Sequence, residues 1–223
     1  LEALKPIWVA TPETGRRSRG RIEFILDAAK AKGFRVGDNP ARWRGHLDKL
    51  LPKRKKGSKR KHPAVPYAKA KDFFADMRRA QGVAAQALEF TILATARTGE
   101  TVWALKTEID LDQTVWNVPG ERMKGGLPHR VPLCPRALEI ARQRIETGPG
   151  KYLFSGLKRG KPLSNNAMRK QLQDLGWGQY TVNGFRSTFR AWAADRTTCA
   201  REIVEFCLAH VEGTESEKAY WRS

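Results

Sequence analysis

Cysteine is scarce in this chain of 223 residues, and Cys134, Cys199 and Cys207 form no C-x-x-C pair. An odd, scattered set points to neither a disulfide framework nor a zinc site, and it suits a reducing compartment, the cytoplasm. No run of about 18 apolar residues is present to cross a bilayer, and no secretory leader opens the chain. Acidic residues are few as well. There are 23 against 42 lysines and arginines, for a net charge of +19 and a pI near 10.3. They form no cluster with metal-ligand spacing, which counts against a metal-dependent nuclease. A methionine start is also missing, because the chain opens at Leu1, as a fragment or processed product would.

What is present is a hydrophobic fraction of 40%, enough for a real core, and an excess of positive charge of the kind that seeks nucleic acid. That excess is uneven: residues 1–62 hold 18 basic and 6 acidic side chains. Within them, residues 11–33 are predicted as a helix, with Thr11 as cap, Pro12 in its first turn and Gly33 at its end. Ile22, Ile25, Leu26 and Ala29 recur at spacings of three and four, which predicts one buried stripe. Arg16, Arg17, Arg19 and Arg21 crowd the positive end of the helix dipole, so a bound phosphate would relieve their repulsion. The stretch from Pro52 to Pro63 carries charge of one sign only and has no core-forming side chain. It is predicted as a linker, with Lys53, Arg54, Lys55 and Lys56 as candidate contacts to a DNA backbone.

From residue 64 onward the pattern predicts one mixed, mainly helical domain. Helices are expected over 67–80 and 83–96, the second burying Leu88, Ile92 and Leu93. A small antiparallel β region follows, with strands over 114–118 and 129–133 around a Gly125-Gly126 turn. Further helices are expected over 136–146, 165–175, 182–194 and 201–209.

Four short stretches then stand in order: Ala96-Arg97-Thr98-Gly99-Glu100, Arg122-Met123-Lys124-Gly125-Gly126, Asn183-Gly184-Phe185-Arg186, and Leu208-Ala209-His210 ahead of Ala219-Tyr220. Together with Asn39-Pro40-Ala41-Arg42-Trp43 they resemble tyrosine recombinases, the phage integrase family. The likeness is nearest to integrases of prophages and genomic islands. It implies a catalytic domain with a small antiparallel sheet over 64–223. Ahead of it would lie a basic linker over 53–63 and, over 1–52, the last part of a helical core-binding domain. It also implies that an arm-binding domain and a C-terminal tail are missing.

By this resemblance Arg97 and Arg186 would clamp the phosphate that is attacked, a task suited to planar guanidinium forks that stay charged. Glu100 would orient the arginine beside it. Lys124 would act as general acid toward the leaving 5′ oxygen, and His210 would bond a phosphate oxygen. Tyr220 would be the nucleophile, forming a 3′-phosphotyrosine that stores the bond energy, so neither ATP nor a metal or other cofactor is implied. The implied partners are double-stranded DNA with attachment-type sites and further protomers assembled on it, in the bacterial cytoplasm at the nucleoid. One departure matters: the family usually has histidine where Asn183 stands, and asparagine cannot take the tyrosine proton. This departure keeps open a binding-only relative that no longer cuts, and a strand-relaxing enzyme like the type IB topoisomerases, which shares the chemistry but needs no partner DNA, is the second alternative.

Overall fold

The computed structural model describes residues 2–52 and 63–210. The chain separates into two compact units, divided between Arg60 and Lys61.

The first unit opens with helix α1 (Lys5–Ala10), then α2 (Pro12–Ala31), and later a short turn, α3 (Asp48–Leu50). Thr11 does not cap α2 through its side chain. Its hydroxyl instead donates to the Ile7 carbonyl at 3.2 Å, closing α1. Gly33, in a left-handed conformation, follows the end of α2 as expected. The loop over residues 39–43 is pinned to α2. Asn39 Nδ2 donates to the Glu23 carbonyl at 2.8 Å and to Asp27 Oδ1 at 2.7 Å, and the Trp43 amide donates to Glu23 Oε1 at 3.1 Å. This docking explains the Asn39-to-Trp43 motif physically. The core here is small: Leu4, Leu47 and Leu51, flanked by Trp8 stacked on Trp43. The expected apolar stripe of α2 is not buried. Ile22 and Ile25 are 41% and 63% exposed, and Leu26 and Ala29 are only half-covered. The loop and α1 pack on other positions of α2, among them Gly15, Arg19 and Glu23.

The second unit contains α4 (Ala70–Arg79), α5 (Val83–Leu93), α6 (Thr98–Val102), β1 (Ile109–Asp110), β2 (Val115–Val118), β3 (His129–Pro132), α7 (Pro135–Thr147), α8 (Ala167–Asp174), α9 (Gly184–Arg196) and α10 (Arg201–Cys207). It is mainly helical with one antiparallel sheet in the order β1-β2-β3. Trp116 faces both Ile109 and Val131 across the sheet, and Val118 faces His129. Alternation works as strand geometry requires: Trp116 and Val118 are buried while Asn117 points out.

Helix α5 is the hub and packs against α6, α7 and α8. Its burial runs almost all round, over Ala85, Ala87, Leu88, Glu89, Phe90 and Thr91, whereas Ile92 and Leu93 are only partly covered. The predicted one-sided face was too narrow because a helix with neighbours on several sides needs no polar stripe. The one charge in this set, Glu89, is met by Arg136 Nε and Nη2 at 3.0 and 2.9 Å.

Candidate active site

Two helix ends build the site. Helices α5 and α10 both close with a left-handed residue that is not glycine, Thr95 (φ 49°) and Ala209 (φ 47°). After α5, the Thr95 and Ala96 amides donate back to Ile92 and Thr91 at 3.1 and 3.0 Å. After α10, the Ala209 and His210 amides donate to Phe206 and Glu205 at 2.8 and 3.0 Å. This is the reciprocal cap that reverses a chain sharply after a helix. A left-handed conformation costs an L-residue roughly 1–2 kcal/mol, so the rest of the fold holds both turns in place. The gain is position: Arg97 and His210 emerge immediately after the two turns.

Arg97 then starts α6. Its amide and its Nη1 both donate to Glu100, each at 2.7 Å, and its Nη2 reaches the Ala209 carbonyl at 3.4 Å. Arg186, one turn into α9, is buried. It donates through Nη1 to the Thr95 carbonyl and through Nη2 to the Leu208 carbonyl. The same Nη2 lies 3.2 Å from His210 Nε2. Thr95 Oγ1 ties the two helix ends together by donating to the Cys207 carbonyl at 2.9 Å. Burial, and then the nearby charge of Arg97, push the Arg186 guanidinium down to about 10, with Glu100 and Glu205 opposing. It remains a cation at neutral pH. Two guanidinium groups held this close form a site that an anion would stabilise.

Four of the residues singled out in the sequence are thus brought together: Arg97, Glu100, Arg186 and His210. Asn183 sits at the start of α9, one turn before Arg186, half-buried and with no side-chain capping bond. Gly184 follows it because the backbone of Pro63 lies against it; a Cβ there would come within 2.2 Å of the Pro63 carbonyl oxygen. Lys124 lies exposed in the turn ahead of β3, beside Gly126 with its positive φ, and makes no ion pair with a described residue. Tyr220, Lys53, Arg54, Lys55 and Lys56 fall outside the described residues.

On α2, Arg16 and Arg17 are exposed and share Glu13, whose carboxyl their hydrogen bonds hold below its usual range. Arg21 is exposed. Arg19 is instead used internally, at 2.6 Å from Glu23 and 2.9 Å from the Ala41 carbonyl, with its guanidinium over the Trp43 ring.

Sequence reasoning missed several residues. Glu205 is buried and bonds His210 Nδ1 at 2.5 Å. Its signal was a carboxylate between Val204 and Leu208, both buried. Arg122 props the site from below, donating to the Glu100 carbonyl at 3.0 Å and pairing with Glu108. His129 on β3 hydrogen-bonds the Cys207 backbone and lies edge-on to Phe206, within electrostatic reach of Arg97 and Arg186. Among the described residues, no group of three or more His, Cys, Asp or Glu side chains could hold a metal ion. No helix there is long and apolar enough to cross a membrane.

Comparison with known proteins adds independent findings. Residues 1–46 match the family model for the phage integrase central domain. The chain is 31% identical over 217 residues to prophage integrase IntZ of Escherichia coli K12, covering 94% of this chain and 52% of that protein. It is 26% identical over 180 residues to the integrase of enterobacteria phage P4, covering 72% and 41%. The chain therefore spans about half, or less, of the length of these curated relatives. Among solved structures, lambda integrase as a tetramer bound to a Holliday junction superposes with a TM-score of 0.64 at 16% identity, over 95% of this chain and 63% of that one. The Tn1549 transposon integrase in complex with circular-intermediate DNA gives 0.59 at 12% identity, over 100% and 83%. These likenesses establish the fold.

Proposed function

The chain belongs to the phage integrase family of tyrosine recombinases, and from that premise we propose that it cuts and rejoins double-stranded DNA at specific sites through a covalent 3′-phosphotyrosine. The observation that carries this reading is the buried Arg186 held beside Arg97 by three backbone carbonyls and Glu100. Such a pair meets the charge that gathers on the non-bridging oxygens of a phosphate under attack. Tyr220 supplies the nucleophile, Lys124 protonates the leaving 5′ oxygen, and His210 bonds a phosphate oxygen. Asn183 keeps a polar group beside the phosphate but supplies no base, so the chain cuts slowly.

Residues 64–223 act as the catalytic domain and residues 1–52 as part of a core-binding domain. Arg16, Arg17, Arg21 and the basic run over 53–56 supply phosphate contacts. Assembly with further protomers on DNA, at the nucleoid of a bacterial cytoplasm, completes the proposal. The lambda integrase relative, described as a tetramer on a Holliday junction, supports the assembly.

The test is covalent capture of a nicked duplex carrying the attachment site, without magnesium. Tyr220→Phe should abolish the adduct and leave equilibrium binding near normal, because only a hydroxyl is lost. An adduct that survives the change, or maps to Tyr180, rejects the assignment.

A further inference from the structure

Glu205 is a charge that the proposed chemistry does not use, and burying one is expensive unless it is paired. It is 1% exposed, on α10 between buried Val204 and Leu208. Its Oε2 lies 2.5 Å from His210 Nδ1. Arg190 Nε approaches Oε1 to 2.6 Å as an ion pair, without hydrogen-bond alignment. The left-handed turn at Ala209 brings the His210 amide back onto the Glu205 carbonyl at 3.0 Å, so backbone and side chain of the two residues are locked together.

The geometry decides where the ring proton sits. A carboxylate only accepts, so Nδ1 must carry the hydrogen and donate it to Glu205. Arg186 Nη2 only donates, so Nε2, 3.2 Å away, is the unprotonated nitrogen and turns its lone pair toward that donor. A phosphate oxygen is also only an acceptor. Neutral His210 in this tautomer therefore offers nothing to a phosphate until Nε2 gains a proton.

We propose that Glu205 is a positioning residue that holds His210 as the Nδ1–H tautomer and makes Nε2 the proton acceptor of the site, so that His210 becomes a cation when a phosphate occupies the arginine pair. The proposal rests on the phosphate-binding reading of that pair. One proton passes from solvent to Nε2, and the imidazolium then donates to Glu205 on one side and to the phosphate on the other. Other charged and titratable groups around the ring bear on the balance. Arg186 and Arg190 from α9 and Arg97 from the α5–α6 junction oppose the added charge. Glu100 is bonded to Arg97, and His129, on the Cys207 backbone, lies within reach of the same two site arginines. A bound phosphate offsets the two site arginines, Arg97 and Arg186, and gives a protonated Nε2 an acceptor opposite Glu205.

The experiment uses the whole chain with inorganic phosphate and vanadate as probes. Nitrogen-15 spectra of the His210 ring should show the Nδ1–H tautomer without probe and both ring nitrogens protonated at saturation. Calorimetry in buffers of different ionisation heat should count close to one proton taken up near neutral pH. Glu205→Gln and His210→Gln should both lose that uptake.

An Nε2–H tautomer in the unliganded protein overturns the proposal, as does uptake undiminished in Glu205→Gln or failure of either probe to bind. The tautomer arm needs only the unmodified protein, so poor folding of a variant leaves the proposal open to refutation. Proton uptake without any DNA adduct would sink the strand-cleavage reading alone. An adduct without uptake would sink the role of Glu205 alone.

Discussion

The two units are built on different terms. The second has a continuous core from Val65 to Phe185, with Phe73, Phe90, Trp116 and Phe154 at or near zero exposure. The first rests on Leu4, Leu47 and Leu51 and a pair of stacked tryptophans, while Phe24, Ile25, Phe34 and Val36 stand exposed. Polar pins do more of the work there: Asn39, Glu23 and Arg19 hold a loop to α2 at distances of 2.7–3.1 Å. Precise chemistry needs side chains that packing cannot release, and Arg97, Arg186 and Glu205 lie in the well-packed unit. The small unit, with exposed cations along α2, suits contacts that tolerate movement.

That contrast can be broken by substitution. Trp116→Ala removes a fully buried ring packed against Phe90 at 5.3 Å, and should cost about 3–5 kcal/mol by urea titration. A loss under about 1 kcal/mol would mean that the core is not continuous. Leu47→Ala empties much of the small core and should cost about 2 kcal/mol, at the low end for such truncations because so few neighbours surround it. The circular-dichroism band from the stacked Trp8 and Trp43 would report it, and a cost equal to that of Trp116→Ala would erase the difference between the units.

A smaller effect is expected at His129. Burial, with help from Arg186 and Arg97, holds its pKa below 6.5 despite Glu100 and the Cys207 bond. The unfolded chain takes up this proton near pH 6.5, and the folded chain only at lower pH. Stability from this group is therefore complete above about pH 6.5 and falls as pH drops toward the folded value. His129→Gln should flatten that slope in urea midpoints measured from pH 7.5 to 5, and an unchanged slope would place the titration elsewhere. Smallest of all, Ile25→Ser on the exposed side of α2 should change stability by no more than about 0.5 kcal/mol. A larger loss would show that the face is covered.

Local grammar made much of this legible. The glycine turn before β3, Gly33 at the end of α2 and the period-two alternation of β2 all followed from backbone rules that act within a few residues. What stayed hidden depended on which faces meet. The stripe of Ile22 and Ile25 has helical spacing, yet spacing does not say whether anything covers it. Arg19 was indistinguishable from Arg16 and Arg17 in sequence, and only the Asn39 loop folding back makes it internal. At the site, the ordered motifs pointed to Arg97, Glu100, Arg186 and His210. Thr95, Glu205 and His129 escaped because their importance lies in bonds to carbonyls and rings of distant segments, which no local pattern records.

Gly184 has a consequence for how this sequence can drift. With the Pro63 carbonyl against its α-carbon, any side chain at this position would force the Pro63 backbone to shift, whatever its effect on chemistry. Its neighbour Asn183 carries no such contact and no capping bond. Tolerance therefore switches within a single step of the chain. A saturation library across 182–186 should return one letter at 184 and several at 183, the position where this sequence parts from the family's histidine.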